Sequence, residues 1–113
     1  MGFADIFSCK GKVALVTGAA SGLGFVFAEA MAEAGADVAC ADIDEKGLTE
    51  VVESVTAKGQ GAIAIKCDVS KEAEVKDMVR RTVDAFGTLD ILFNNAGAGQ
   101  VPTPVHELDT DEW

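Results

Sequence analysis

Tyrosine is absent from the chain, and histidine, tryptophan and proline are scarce, with one, one and two copies. No phenolic hydroxyl can therefore act as an acid or base. The single imidazole, His106, lies in a loop between Pro104 and Glu107 with no partner implied to hold it, and reads as a solvated loop residue. Basic residues are also few: nine Lys and Arg against nineteen Asp and Glu leave a net charge of −10. Nucleic acid and anionic membrane surfaces are poor partners for such a chain, because phosphate backbones are neutralised by clustered cations. A small phosphate-bearing cofactor is not excluded, since backbone N–H groups at a helix start bind phosphate without any cationic side chain. The three cysteines, Cys9, Cys40 and Cys67, are odd in number and widely spaced. They fit neither a disulfide framework nor a zinc site, so no metal is expected. Cys40 and Cys67 fall in apolar runs and read as buried, reduced thiols. No apolar run approaches membrane length, and no charged segment precedes a hydrophobic one at the N-terminus. A soluble, cytoplasmic protein is expected.

What is present is regular alternation. A chain of 113 residues with 49% hydrophobic and 25% charged residues suits a single globular domain over residues 1–113. Lys12 to Thr17 is a short apolar run that reads as a buried strand, followed by a helix from Gly22 to Ala34 that Gly35 stops. Asp37 to Asp42 is a second strand, and Asp44 caps a helix with Leu48, Val51, Val52 and Val55 at helical spacing. Ala62 to Cys67 follows the Gly59-Gln60-Gly61 break as a third strand. Ser70 opens a third helix, with Val75, Met78, Val79, Thr82, Val83 and Phe86 on one face and Gly87 at its end. Leu89 to Phe93 is a fourth strand, followed by a loop from Asn94 to about Leu108 and a helix cap at Asp109 to Asp111. Strands alternating with helices imply right-handed βαβ units and a parallel sheet. The fold class is therefore α/β, a Rossmann-type sheet forming half of a doubly wound domain. Its strand order would be 3-2-1-4 with helices on both faces, and the ligand crevice would lie beside the first strand.

The segment Thr17-Gly18-Ala19-Ala20-Ser21-Gly22-Leu23-Gly24 lies between a strand and a helix. Gly18 permits a tight turn, Gly22 lets the backbone approach a ligand, and Gly24 lets the helix pack on the sheet. The free N–H groups of the first helical turn then face a pyrophosphate. A Walker-type loop is excluded, because no Gly-Lys-Ser/Thr follows. Asp42, at the end of the second strand, can accept hydrogen bonds from both ribose hydroxyls of NAD. It would repel a 2′-phosphate by about 4 kcal/mol per charge at contact in a surface-like dielectric. With no Lys or Arg in the glycine turn to offset this, NAD is expected over NADP.

Four motifs in order, TGAASGLG, Asp42, Asp68-Val69 and Asn94-Asn95-Ala96-Gly97, resemble those of the short-chain dehydrogenase/reductases. The resemblance runs from Gly11 to Trp113. It implies that Gly18, Ser21, Gly22, Leu23 and Gly24 follow the cofactor along the glycine turn. It also implies that Asp42 and Ile43 hold the adenosine ribose, Asp68 and Val69 sit against the adenine, and Asn95, Ala96 and Gly97 line the cofactor behind the fourth strand. The family's further strands, its catalytic Ser and its Tyr-x-x-x-Lys pair have no counterpart in this chain. The chain thus reads as the cofactor-binding half of an oxidoreductase acting on a carbonyl or secondary alcohol, truncated relative to the family, without catalytic residues and inactive alone. A second reading is a non-catalytic nucleotide-binding or self-assembling module. Under either, the fourth strand would be an exposed apolar edge that invites pairing, so a homodimer or larger species is expected.

Overall fold

The structure is a computed structural model that describes residues 8–95 and the backbone of Thr103 and Pro104. Five strands, β1 (Val13–Thr17), β2 (Asp37–Asp42), β3 (Ala62–Lys66), β4 (Ile91–Asn94) and β5 (Thr103–Pro104), form one sheet. Three helices, α1 (Gly22–Glu33), α2 (Glu45–Ala57) and α3 (Glu72–Phe86), connect the first four strands. The sheet order is β3-β2-β1-β4-β5, in which the first four strands are parallel and β5 runs antiparallel. The expected 3-2-1-4 order is therefore present. Register aligns Thr17 with Ala41 on one side and Asn94 on the other, so the strand ends that carry the motifs lie level.

Every residue of β1 is buried, as its position between two neighbours and two helical layers requires. Alternate residues feed the two faces. Val16, Val38, Cys40 and Phe93 pack with Ala28 and Ala32 of α1 and with Leu48, Val51 and Val55 of α2. Leu15, Ala39, Ala41, Ile65 and Leu92 pack with Val75 and Met78 of α3 on the other. Each fully buried Leu, Ile, Val or Met contributes roughly 1.5–3 kcal/mol relative to exposure. The crossover thus changes face between β3 and β4, and that change opens a crevice beside β1. Small alanines on α1 keep the helix close to the sheet, while Phe27 stacks on Phe93 with centroids 3.9 Å apart.

Several boundaries differ from the sequence reading. Ser70 does not open α3, whose N-cap is Lys71, because the Ser70 N–H and hydroxyl both donate to Asp68 Oδ1. Val83 is 39% exposed and so sits at the rim of the α3 apolar face instead of within it. The fourth strand begins at Ile91 rather than Leu89: the Asp90 side chain and N–H instead pair with the Val13 N–H and carbonyl. The expected bare edge is also corrected, since Thr103 and Pro104 pair with Leu92 and Ile91. Gly35 and Gly87 end their helices at φ of +102° and +85°, a conformation costly for any residue with a Cβ. The proposed helix cap at Asp109 to Asp111 lies outside the described residues.

Candidate functional site

The C-terminal ends of β1 to β4 open onto a cleft of about 350 Å³ lined by Gly18, Ser21, Asp42, Ile43, Cys67, Asp68, Val69 and Asn95. Seven of the residues singled out from sequence therefore share one cavity wall. Gly22, Leu23 and Gly24 begin α1 beside it without lining it, and Ala96, Gly97 and His106 lie outside the described residues.

The glycine turn is shaped by backbone demands that differ at each glycine. Gly18 and Gly22 take φ of +64° and +58°. A Cβ on Gly22 would project into open space, whereas one on Gly24 would lie 2.1 Å from the Gly18 carbonyl oxygen. Gly22 therefore leaves room over the helix start, and Gly24 lets α1 fold back onto the turn. Ser21, the N-cap of α1, makes no side-chain cap bond, so its hydroxyl does not occupy the first-turn N–H groups. Such donors, at the positive end of the helix dipole, suit an anion.

Asp42 occupies the corner between β2 and α2. Its Oδ2 accepts the Ala20 N–H at 3.0 Å and its Oδ1 accepts the Asp44 N–H at 3.0 Å. Ile43, 63% exposed, forms an apolar lip next to it. Across the cleft, Asp68 Oδ1 accepts both the Ser70 hydroxyl at 2.7 Å and the Ser70 N–H at 3.0 Å. These Ser70 bonds, with help from Lys71, hold the Asp68 carboxyl below its usual range despite some desolvation. The Asp68 N–H donates to Glu74 Oε1 at 3.0 Å, which fixes the turn from behind.

Sequence reasoning missed two contributors. Cys67 is a buried part of the cleft wall, its thiol pushed up by burial and by the carboxylates of Glu74, Asp68 and Asp77. Thr17, fully buried, donates to Asn94 Oδ1 at 3.0 Å and accepts the Asn95 N–H at 3.0 Å. A polar residue closing an otherwise apolar strand was the available signal for Thr17. Through it the segment after β4 is tied to β1, and Asn95 is held against Gly18. Among the described residues no group of three or more His, Cys, Asp or Glu could hold a metal ion.

A family model described as short chain dehydrogenase matches residues 12–113. The chain is 40% identical over 104 residues to a CLA biosynthesis dehydrogenase/reductase of Lactiplantibacillus plantarum, covering 92% of this chain and 36% of that protein. It is 44% identical over 108 residues to a short chain dehydrogenase/reductase of Aspergillus oryzae, covering 95% of this chain and 41% of that one. Among solved structures, a hydroxysteroid dehydrogenase from Escherichia coli is similar at a TM-score of 0.79 and 36% identity, over 85% of this chain and 41% of that chain. A short chain dehydrogenase/reductase from Burkholderia phymatum, solved in complex with NAD, gives 0.73 and 40% identity over 77% of this chain and 31% of that chain. The chain thus spans well under half the length of the curated relatives it matches.

Proposed function

The chain belongs to the short-chain dehydrogenase family, and on that premise we propose that it is the dinucleotide-binding part of an NAD-dependent oxidoreductase acting on a carbonyl or secondary alcohol. The observation that carries this reading is the single cleft in which Gly18, Ser21, Asp42, Asp68 and Asn95 meet at the sheet's C-terminal edge. The residues fit the group. The open space over Gly22 and the first-turn N–H groups accommodate a pyrophosphate, and Asp42 meets the ribose hydroxyls. Asp68 and Val69 border the adenine end, with Ile43 as an apolar shelf. Leu23, Ala96 and Gly97 complete the cofactor-binding set by family likeness. Bound NAD supplies hydride exchange at its nicotinamide. The chain's own residues bind and orient the cofactor, and none of them is assigned as catalytic.

Preference for NAD over NADP rests on the negative charge of Asp42, with no cation in the turn from Gly18 to Gly24 to draw in a 2′-phosphate. Calorimetric titration with each cofactor tests both parts. Saturable NAD binding that exceeds NADP binding, and falls in Asp42→Ala, is expected; no heat at millimolar NAD would overturn the reading. With no tyrosine in the chain to act as acid, no alcohol should be turned over by it alone, and steady NADH production would refute that assignment.

Self-association belongs to the same reading. Leu23 and Val26 of α1 are 63% and 60% exposed, and among the described residues β5 pairs with β4 at Ile91 and Leu92. Exposed apolar side chains on a helix and a short outer strand favour a homo-oligomer of at least two copies, and a cytoplasmic setting belongs to the same reading.

A further inference from the structure

The glycine turn is fastened to the β2–α2 corner by contacts of three kinds. The Ala19 N–H donates to the Ala41 carbonyl at 3.1 Å, which extends the sheet by one backbone bond. Ala20 rests on the first turn of α2, so closely that a Cβ on Gly47 would lie 2.6 Å from the Ala20 Cβ. The third contact is a side-chain bond, from the Ala20 N–H to Asp42 Oδ2 at 3.0 Å. The other oxygen of the same carboxylate holds the Asp44 N–H, and Asp44 in turn caps α2 through the N–H groups of Lys46 and Gly47. A turn with two glycines at positive φ has little conformational preference of its own, so its shape depends on such contacts.

Resting on the dinucleotide reading, we propose that Asp42 is a positioning residue for the phosphate-binding turn as well as an acceptor for ribose, so that one carboxylate couples the two halves of an adenosine diphosphate ligand. The two roles are compatible. An ionised carboxylate offers about four lone-pair sites; Ala20 and Asp44 use two, which leaves one for each ribose hydroxyl. Removing the charge to admit a 2′-phosphate would therefore loosen the turn at the same moment. A single substitution at Asp42 should weaken diphosphate binding instead of simply exchanging one cofactor for the other.

A cycle of protein and ligand variants separates the roles. The full chain, Asp42→Ala and Asp42→Asn are titrated with ADP and with 2′,3′-dideoxy-ADP, which lacks the ribose hydroxyls. Positioning of the turn predicts that Asp42→Ala weakens the dideoxy ligand by about tenfold, the worth of one charge-assisted hydrogen bond. Asp42→Asn, which keeps one acceptor oxygen, should fall between. Equal binding of the dideoxy ligand by wild type and Asp42→Ala, with ADP alone affected, would overturn the proposal and leave Asp42 a ribose ligand only. If the wild-type chain binds neither nucleotide, the dinucleotide reading fails, and amide exchange decides this one separately. Ala19, Ala20 and Ser21 should exchange at least tenfold faster in Asp42→Ala while Val38 and Val51 keep their rates. Unchanged turn rates, or equal acceleration throughout, would overturn it.

Discussion

Gly24 has no room for a side chain: a Cβ there would meet the Gly18 carbonyl at 2.1 Å, backbone against backbone. Alanine at an ordinary helical position gains up to about 1 kcal/mol over glycine, but overpacking of this kind costs about 1–3 kcal/mol. Gly24→Ala is therefore expected to lower the urea midpoint and displace the turn; an unchanged or raised midpoint would contradict this geometry. The buried thiol of Cys40 is pushed up by desolvation to about 12 from an ordinary value of 9.0. The folded chain thus holds that proton more tightly than the unfolded chain. The resulting stability is complete below pH 9.0 and declines as pH rises towards about 12. Part of the alkaline loss in a pH series of melting temperatures should vanish in Cys40→Ala, and persistence of the full slope would show another group responsible. These demands were only half legible in sequence. Glycine spacing announced a turn, but which glycine abuts backbone and which faces open space depends on how α1 returns over Gly18.

At the scale of elements, α2 was the most readable. Asp44 stands as its N-cap and accepts from the Lys46 and Gly47 N–H groups at 3.1 and 3.2 Å. Leu48, Val51 and Val55 are buried at the spacing that a helical face requires. Asp44→Ala should cost about 1 kcal/mol in denaturant unfolding, with little effect on the slope. A loss under about 0.3 kcal/mol would show that water replaces the cap at no cost. The start of α3 was misread for a physical reason. Ser70 is a good cap by type, yet Asp68 sits two residues before it and takes both of its donors. Local competition between two cap-forming side chains is decided by the turn's dihedrals, which the residue types leave open.

The whole molecule is a sheet whose apolar interior is sealed by α1 and α2 on one face and α3 on the other. Coverage is less complete on the outer side of α1, where Leu23 and Val26 stand exposed. Size-exclusion chromatography with light scattering should return a dimer or larger species. Val26→Asp, a charge on the exposed face, should shift it towards monomer without loss of helical signal. A monomeric wild-type chain at micromolar concentration would remove the case for self-association.

Hydrophobic periodicity and punctuating glycines determined the alternating elements and their order, because burial of each apolar stripe and each helix stop is a local property of residue type. The same residues carried the parallel 3-2-1-4 topology, since right-handed crossovers leave few alternatives. Only tertiary structure decided what those residues touch. It brought Cys67 into the cleft wall, tied Asn95 to Thr17, and set Asp42 against Ala20. It also paired Thr103 and Pro104 with a strand edge that local patterning left bare. Each of these joins groups distant in sequence, and such contacts are fixed by strand register and helix packing, which the chain acquires on folding.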